Sequence, residues 1–277
     1  EWAFTIDRGL LIALLSLIAI GVVLSVAASP AVALKKGLPT YYFVERHVFF
    51  AALGTILMIV ISFFSPMGVR RLAAVLFLVS VAGMIVVIFS GASINGAQRW
   101  LMLGSYSIQP SEFAKPAFIV IVAWLFGEAA SRSDMPALPF ALIVWALFAA
   151  ILVMQPDVGQ TVLISTTAGL IYLLAGMPVI GAAILMALGS GGMWLAYMYF
   201  PHVQSRFDKY FGSAPLESSQ AGRAIQSFTE GGLFGRGPGE GVIKSVLPDA
   251  HTDYIFAVIG EEYGAVACIA LLGVFAF

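Results

Sequence analysis

Residues 158–205, VGQTVLISTTAGLIYLLAGMPVIGAAILMALGSGGMWLAYMYFPHVQS, form 48 consecutive positions without Asp, Glu, Lys or Arg. A single α-helix crosses the ~30 Å hydrocarbon core of a bilayer with ~20 apolar residues, and it must be regular because lipid satisfies no unpaired backbone group. The run is too long for one crossing and suits two, with Ala175-Gly176-Met177-Pro178 supplying the turn between them. The stretch therefore predicts a helical hairpin through a membrane, and the same rule extends outward along the chain.

Residues 9–34, 47–69, 72–98 and 135–156 are also free of acidic and basic side chains, and each is bounded by Pro, Gly or a charged turn. A fourth span, about 113–130, carries Lys115 near its start, and an eighth begins at Tyr254. Composition agrees: 60% of the 277 residues are hydrophobic and 10% charged, where a soluble domain carries about 25% charge. The expected fold is an all-α polytopic membrane protein of about eight transmembrane helices, a single domain over 1–277 with one long polar loop at 201–252. A net charge of −1 gives no footprint for nucleic acid. The one cysteine, Cys268, lies in an apolar run, which excludes a disulfide framework and a cysteine metal site.

With eight crossings, residues 91–112, the 155–157 link and the 201–252 loop share one face, because an even number of spans separates them. Only Arg8, Arg70, Arg71 and Arg132 of the 14 basic residues fall on the other face. Counted naively, the positive-inside rule makes the loop-rich face cytoplasmic. Five of those cations sit in the one long loop, however, and others adjoin polar motifs where a cation can serve a ligand.

Four polar clusters gather on that face: NGAQRW at 95–100, QPSEFAK at 109–115, QPDVGQ at 155–160 and DAHTD at 249–253. Their plain alternative is local structure. Ser111 and Asp157 follow prolines as N-caps do, Thr252 or Asp253 is placed to cap the last span, and Glu112 and Lys115 are spaced to pair on one helix face. If the last helix starts at Tyr254, Glu261 lies ~12 Å along the axis and ~80° round from Asp253, and Glu262 points ~180° away. These acids therefore form no two-carboxylate hydrolase with Asp253, which would need separations of ~5–9.5 Å. An acid at mid-membrane costs ~2.5–3.5 kcal/mol, so Glu261 and Glu262 are read as structural intramembrane charge with a cationic partner from another span, for example Lys115. Three histidines and no HExxH or CxxC spacing leave no protein-built metal site. The glycine-rich run 231–241 lacks GK[ST] and so is no Walker loop; its plain reading is a flexible loop, and its sharper reading places its amides and Arg236 close to an anionic group.

Together NGAQRW at 95–100, IQPSEFAK at 108–115, QPDVGQT at 155–161, GGLFGRGPGEG at 231–241 and LPDAHTDYIFAVIGEEYG at 247–264 resemble the SEDS family of cell-wall polymerases, most closely its FtsW or division branch, with the RodA or elongation branch next. The segment 218–223 departs from the family's usual pattern. The family has ten membrane helices, so the resemblance implies that this chain corresponds to the first eight. It also implies peptidoglycan glycosyltransferase activity on lipid II, with the loop-rich face outside the bacterial inner membrane at the division septum, which overrules the naive charge count. Asp253, in the HTD motif, is the expected catalytic base. Arg99, Lys115, Arg206 and Arg236 are expected to contact pyrophosphate or saccharide, supported by Glu112, Gln155, Asp157, Gln160 and His251. The expected partners are a class B penicillin-binding protein, an FtsI-like transpeptidase, and other divisome proteins. No cofactor is specified, although a divalent cation is compatible with a pyrophosphate leaving group. A lipid II transporter is the alternative, and would show paired half-sequences or helices broken at mid-membrane.

Overall fold

Three phenylalanines, one from each of three helices, mark the centre of the larger apolar core. The structure is a computed structural model, which describes residues 6–94, 97–104, 106–132, 134–155, 157–201, 203–204, 220–247 and 250–277. Arg206 and Asp249 lie outside the described residues. The order among those described is α1 (Arg8–Lys35), α2 (Tyr42–Ser62), α3 (Pro66–Ser90), β1 (Ala92–Ile94), β2 (Ala97–Leu103), β3 (Tyr106–Ile108), α4 (Pro110–Ser131), α5 (Ala137–Met154), α6 (Val158–Leu174), α7 (Val179–Tyr199), α8 (Gln220–Gly231), α9 (Ile243–Val246) and α10 (Ile255–Ala276). Seven of these helices are long and apolar enough to cross a membrane, and α6, with 17 residues, is apolar but shorter. The fold is that of an all-α polytopic membrane protein. Contacts divide the chain into two compact units, Glu1–Phe63 with Ser213–Phe277, and Phe64–Gly212.

In the Phe64–Gly212 unit, Phe77 of α3, Phe118 of α4 and Phe148 of α5 meet with ring centroids 5.2–6.4 Å apart. Phe126 of α4 stacks edge-on against Tyr172 of α6 at 5.4 Å. Ala114, Ala117, Ala137 and Ala141 are buried around them and let the backbones come close. Ser65 accepts a hydrogen bond from the Gly68 amide, and Pro66 occupies the first turn, so α3 starts four residues before Arg70. The charged turn expected at Arg70-Arg71 is therefore inside a helix, and the expected span 47–69 is divided between α2 and α3.

The third span was expected to run to 98, but α3 stops at Ser90. Gly91 leaves the helix with extended backbone (φ −72, ψ 146) at a point where a Cβ would meet the Val87 carbonyl oxygen at 2.4 Å. The chain then forms an antiparallel meander, β1-β2-β3, with a register irregularity at Ala92/Ser93 and Gly104 at φ +62 between β2 and β3. No sheet was expected there, since residues 91–98 carry no charge and were counted with the third span. Pro110 opens α4 with Gln109 as N-cap; Ser111 lies inside the helix and accepts from the Gln109 side-chain amide at 3.0 Å, contrary to its expected capping role.

In the other unit, Ala28 and Val32 of α1 share a buried cluster with Leu247, Ala250, Ala257 and Val258, and Leu24 packs with Ile259 and Cys268. The segment expected as a polar loop contains α8 and α9. The last helix is broken: Gly264 has φ 77 and ψ −178, a conformation open essentially to glycine alone. Backbone groups freed by the break are satisfied by the glycine-rich run, since the Ala265 amide donates to the Gly232 carbonyl at 2.9 Å and that of Val266 to Leu233 at 3.2 Å. Irregular backbone at membrane depth needs such enclosure in protein.

Candidate functional site

Strand β2 presents Arg99, α4 presents Glu112 and Lys115, and the start of α6 presents Asp157 and Gln160. These five side chains form one polar chain within the Phe64–Gly212 unit. Arg99 Nη1 lies 3.3 Å from Asp157 Oδ2, and Arg99 Nε donates to the Gln155 carbonyl at 3.5 Å. Asp157 caps α6 by accepting from the Gln160 amide at 3.5 Å. The Gln160 side-chain oxygen in turn accepts from Lys115 Nζ at 3.1 Å, and Lys115 Nζ pairs with Glu112 at 2.7 Å, three residues earlier on α4. Beneath them Gln155, 2% exposed, donates to the Met84 carbonyl at 3.0 Å and ties the α5–α6 link to α3.

The two cations differ from ordinary surface side chains in being mostly enclosed, with side-chain exposure of 18% for Arg99 and 20% for Lys115. Each is held by a carboxylate, so both charges are already positioned. Such preorganised cations are suited to a leaving group whose negative charge grows in the transition state.

In the other unit, His251-Thr252-Asp253-Tyr254 form a turn immediately before α10. The His251 ring packs against Phe43 of α2 with centroids 4.4 Å apart and the rings tilted by 46°, and the preceding Ala250 is fully buried. Tyr254 is the N-cap residue and makes no side-chain capping bond, so neither Thr252 nor Asp253 caps the helix. Asp253 is exposed, and its carboxylate makes no hydrogen bond or ion pair with the described residues.

Glu261 and Glu262 are 0% and 1% exposed. Glu261 accepts from the amides of Val242 at 2.6 Å, Ile243 at 2.7 Å and Lys244 at 3.1 Å. Glu262 accepts from the Gly239 amide at 3.0 Å and is ion-paired with Lys244. The Lys244 ammonium also donates to the carbonyls of Gly239 at 3.1 Å and Ala27 at 3.3 Å. The cationic partner is thus Lys244 of the same unit, and Lys115 is engaged elsewhere. Of the amides in the glycine-rich run, that of Gly239 donates to the Glu262 carboxylate, whereas those of Arg236 and Gly237 donate to the neutral backbone carbonyls of Glu261 and Glu262.

A family model for the cell cycle proteins FtsW, RodA and SpoVE matches residues 8–277. The chain belongs to this family. Among FtsW relatives, a Caulobacter vibrioides (strain NA1000 / CB15N) protein described as a probable peptidoglycan glycosyltransferase is 41% identical over 277 residues, covering 100% of the chain and 71% of that protein. A Saccharophagus degradans (strain 2-40 / ATCC 43961 / DSM 17024) protein of the same description is 32% identical over 270 residues, covering 94% and 70%. Of solved structures, a chain of a peptidoglycan synthase complex that coordinates polymerization and crosslinking superposes with a TM-score of 0.71 at 24% identity, covering 98% of this chain and 75% of that one. The Thermus thermophilus rod shape determining protein RodA superposes at 0.61 and 23%, covering 98% and 72%. At these identities the two likenesses establish a shared fold.

For an FtsW/RodA-type chain the placement of the expected residues is as follows. Arg99, Lys115, Glu112, Gln155, Asp157 and Gln160 come together in one unit; Asp253 and His251 share a turn in the other. Arg236 extends from the glycine-rich run to an ion pair with Glu230 and lies partly exposed. Lys244 was not singled out from the sequence, because it and Glu262 lie 18 positions apart in two different helices, α9 and α10, and only the fold brings them together; the pair of adjacent acids in an apolar run was the signal that a buried cation exists.

Proposed function

We propose that the chain is a peptidoglycan glycosyltransferase of the bacterial inner membrane that polymerises lipid II into β-1,4 glycan strands during septal wall synthesis, its loop-rich face extracytoplasmic. The 4-hydroxyl of an N-acetylglucosamine attacks C1 of N-acetylmuramic acid, the C1–oxygen bond to polyprenyl pyrophosphate breaks, and the hydroxyl proton passes to Asp253. Inversion from an α-linked donor to a β link needs one displacement and one base. Arg99 and Lys115 neutralise the departing pyrophosphate, with Asp157, Gln160, Glu112 and Gln155 holding them in place. A class B penicillin-binding protein then crosslinks the strands.

The observation that carries this reading is the family match over residues 8–277, combined with an exposed aspartate in the turn that opens α10. The break at Gly264 is a feature that favours a transporter, yet the backbone amides beyond it are bonded to the carbonyls of the glycine-rich run. The two readings separate in vesicles loaded with labelled lipid II: a polymerase yields long glycan strands sensitive to a muramidase, whereas translocation of label without polymer would refute the assignment.

A further inference from the structure

The Lys244, Glu261 and Glu262 cluster satisfies two buried acids with groups drawn largely from one short segment. It binds α9 to the middle of α10 through four contacts to the two carboxylates from residues 242–244 alone: three amides on Glu261 and the ammonium on Glu262. Between these anchors Leu247 and Ala250 are both buried, residues 251–254 form a turn, and the first two turns of α10 lead to Glu261 and Glu262. The ion pair therefore closes the base of a loop whose apex carries Asp253, with 18 positions from one anchor to the other. Lys244 reaches α1 as well, at the Ala27 carbonyl, so the loop base is also fixed to the helix whose Ala28 and Val32 pack on Leu247 and Ala250.

We infer that Lys244, Glu261 and Glu262 are positioning residues for the reaction: the buried clamp sets where the Asp253 carboxylate stands. This rests on the reading of Asp253 as the base. The clamp touches neither substrate nor the reacting atoms and acts only through the loop it closes. A single replacement leaves a buried charge uncompensated, whereas replacing both partners removes that penalty. The informative variant is accordingly Lys244→Met/Glu262→Met, with Glu262→Gln as a second variant that keeps an acceptor for the Gly239 amide.

Misplacing a reacting group by about 1 Å costs about 100-fold in rate, so each variant is expected to polymerise lipid II with kcat per folded molecule lowered roughly 10- to 100-fold and KM unchanged. Hydrogen exchange at residues 250–254 is expected to quicken while α1 and the far half of α10 keep their protection. A merely structural role predicts instead a lower melting temperature with kcat per folded molecule intact; that result in either folded variant, or unchanged exchange at 250–254, overturns the inference. Exchange reports the clamp whichever residue is the base, and Asp253→Asn in the same assay reports the base whatever the clamp does, so failure of one is distinguishable from failure of the other.

Discussion

Replacing Gly264 by alanine tests the broken helix most sharply. Its backbone, at φ 77 and ψ −178, is one that a side chain strains by about 1–3 kcal/mol. An added Cβ would also stand 2.4 Å from both the Leu233 carbonyl oxygen and the Gly235 amide nitrogen, backbone atoms that cannot rotate away. Overpacking of this kind adds about 1–3 kcal/mol, for a combined loss of roughly 2–6 kcal/mol. At about 2–4 °C per kcal/mol the melting temperature falls by roughly 4–24 °C. Gly273 on the same helix is the internal control, because a Cβ there meets nothing within 4 Å, and Gly273→Ala is expected to leave stability unchanged or raise it by up to about 1 kcal/mol. Melting of the purified protein in detergent, followed by tryptophan emission and by a dye that reports Cys268, reads both. If Gly264→Ala melts with Gly273→Ala, the break and its hydrogen bonds to the glycine-rich run are not features of the molecule.

Further outcomes follow from the polar chain around Arg99. Arg99→Ala is expected to lower lipid II polymerisation by about 100-fold or more, as loss of one preorganised charge at a developing anion does; turnover against substrate concentration measures it. Arg99→Ala and Asp157→Asn should combine non-additively in stability, with a coupling of about 0.5–3 kcal/mol, because the two groups are 3.3 Å apart and largely enclosed; a thermal double-mutant cycle checks this. Glu112→Gln should change stability by no more than about 1 kcal/mol, its carboxylate being half exposed, whereas Gln155→Ala should cost about 2 kcal/mol or more through a lost buried hydrogen bond and the space left behind.

The contrast between what was legible in the sequence and what was not has a physical basis. Membrane helices announce themselves because a charge in lipid is costly, so the hairpin at 158–205 and the count of apolar helices could be read from charge-free runs. The same rule misplaced the α2–α3 turn, since α2 ends at Ser62 and Ser65-Pro66 start α3 without any charge, and Arg70 and Arg71 lie inside α3. It also extended α3 through residues 91–98, where a strand rather than a helix begins. Glycine at 264 gives no distinctive signal within an apolar run; only the backbone of residues 232–237 packed against it shows why no side chain fits. Within the polar sites, Glu112–Lys115 and the Asp157 cap were readable as short-range spacings, while Arg99 against Asp157 and Lys244 against Glu262 join distant segments and depend on the fold.

The central claim is that Asp253 removes the proton from the attacking hydroxyl. Asp253→Asn keeps shape and polarity and removes the basic carboxylate, at an exposed position with no partner among the described residues to disturb. Polymerisation of purified lipid II in the presence of the proposed class B penicillin-binding protein should be abolished in this variant while its melting temperature matches the parent protein. Glycan strands formed at the parental rate by a folded Asp253→Asn protein would contradict the account.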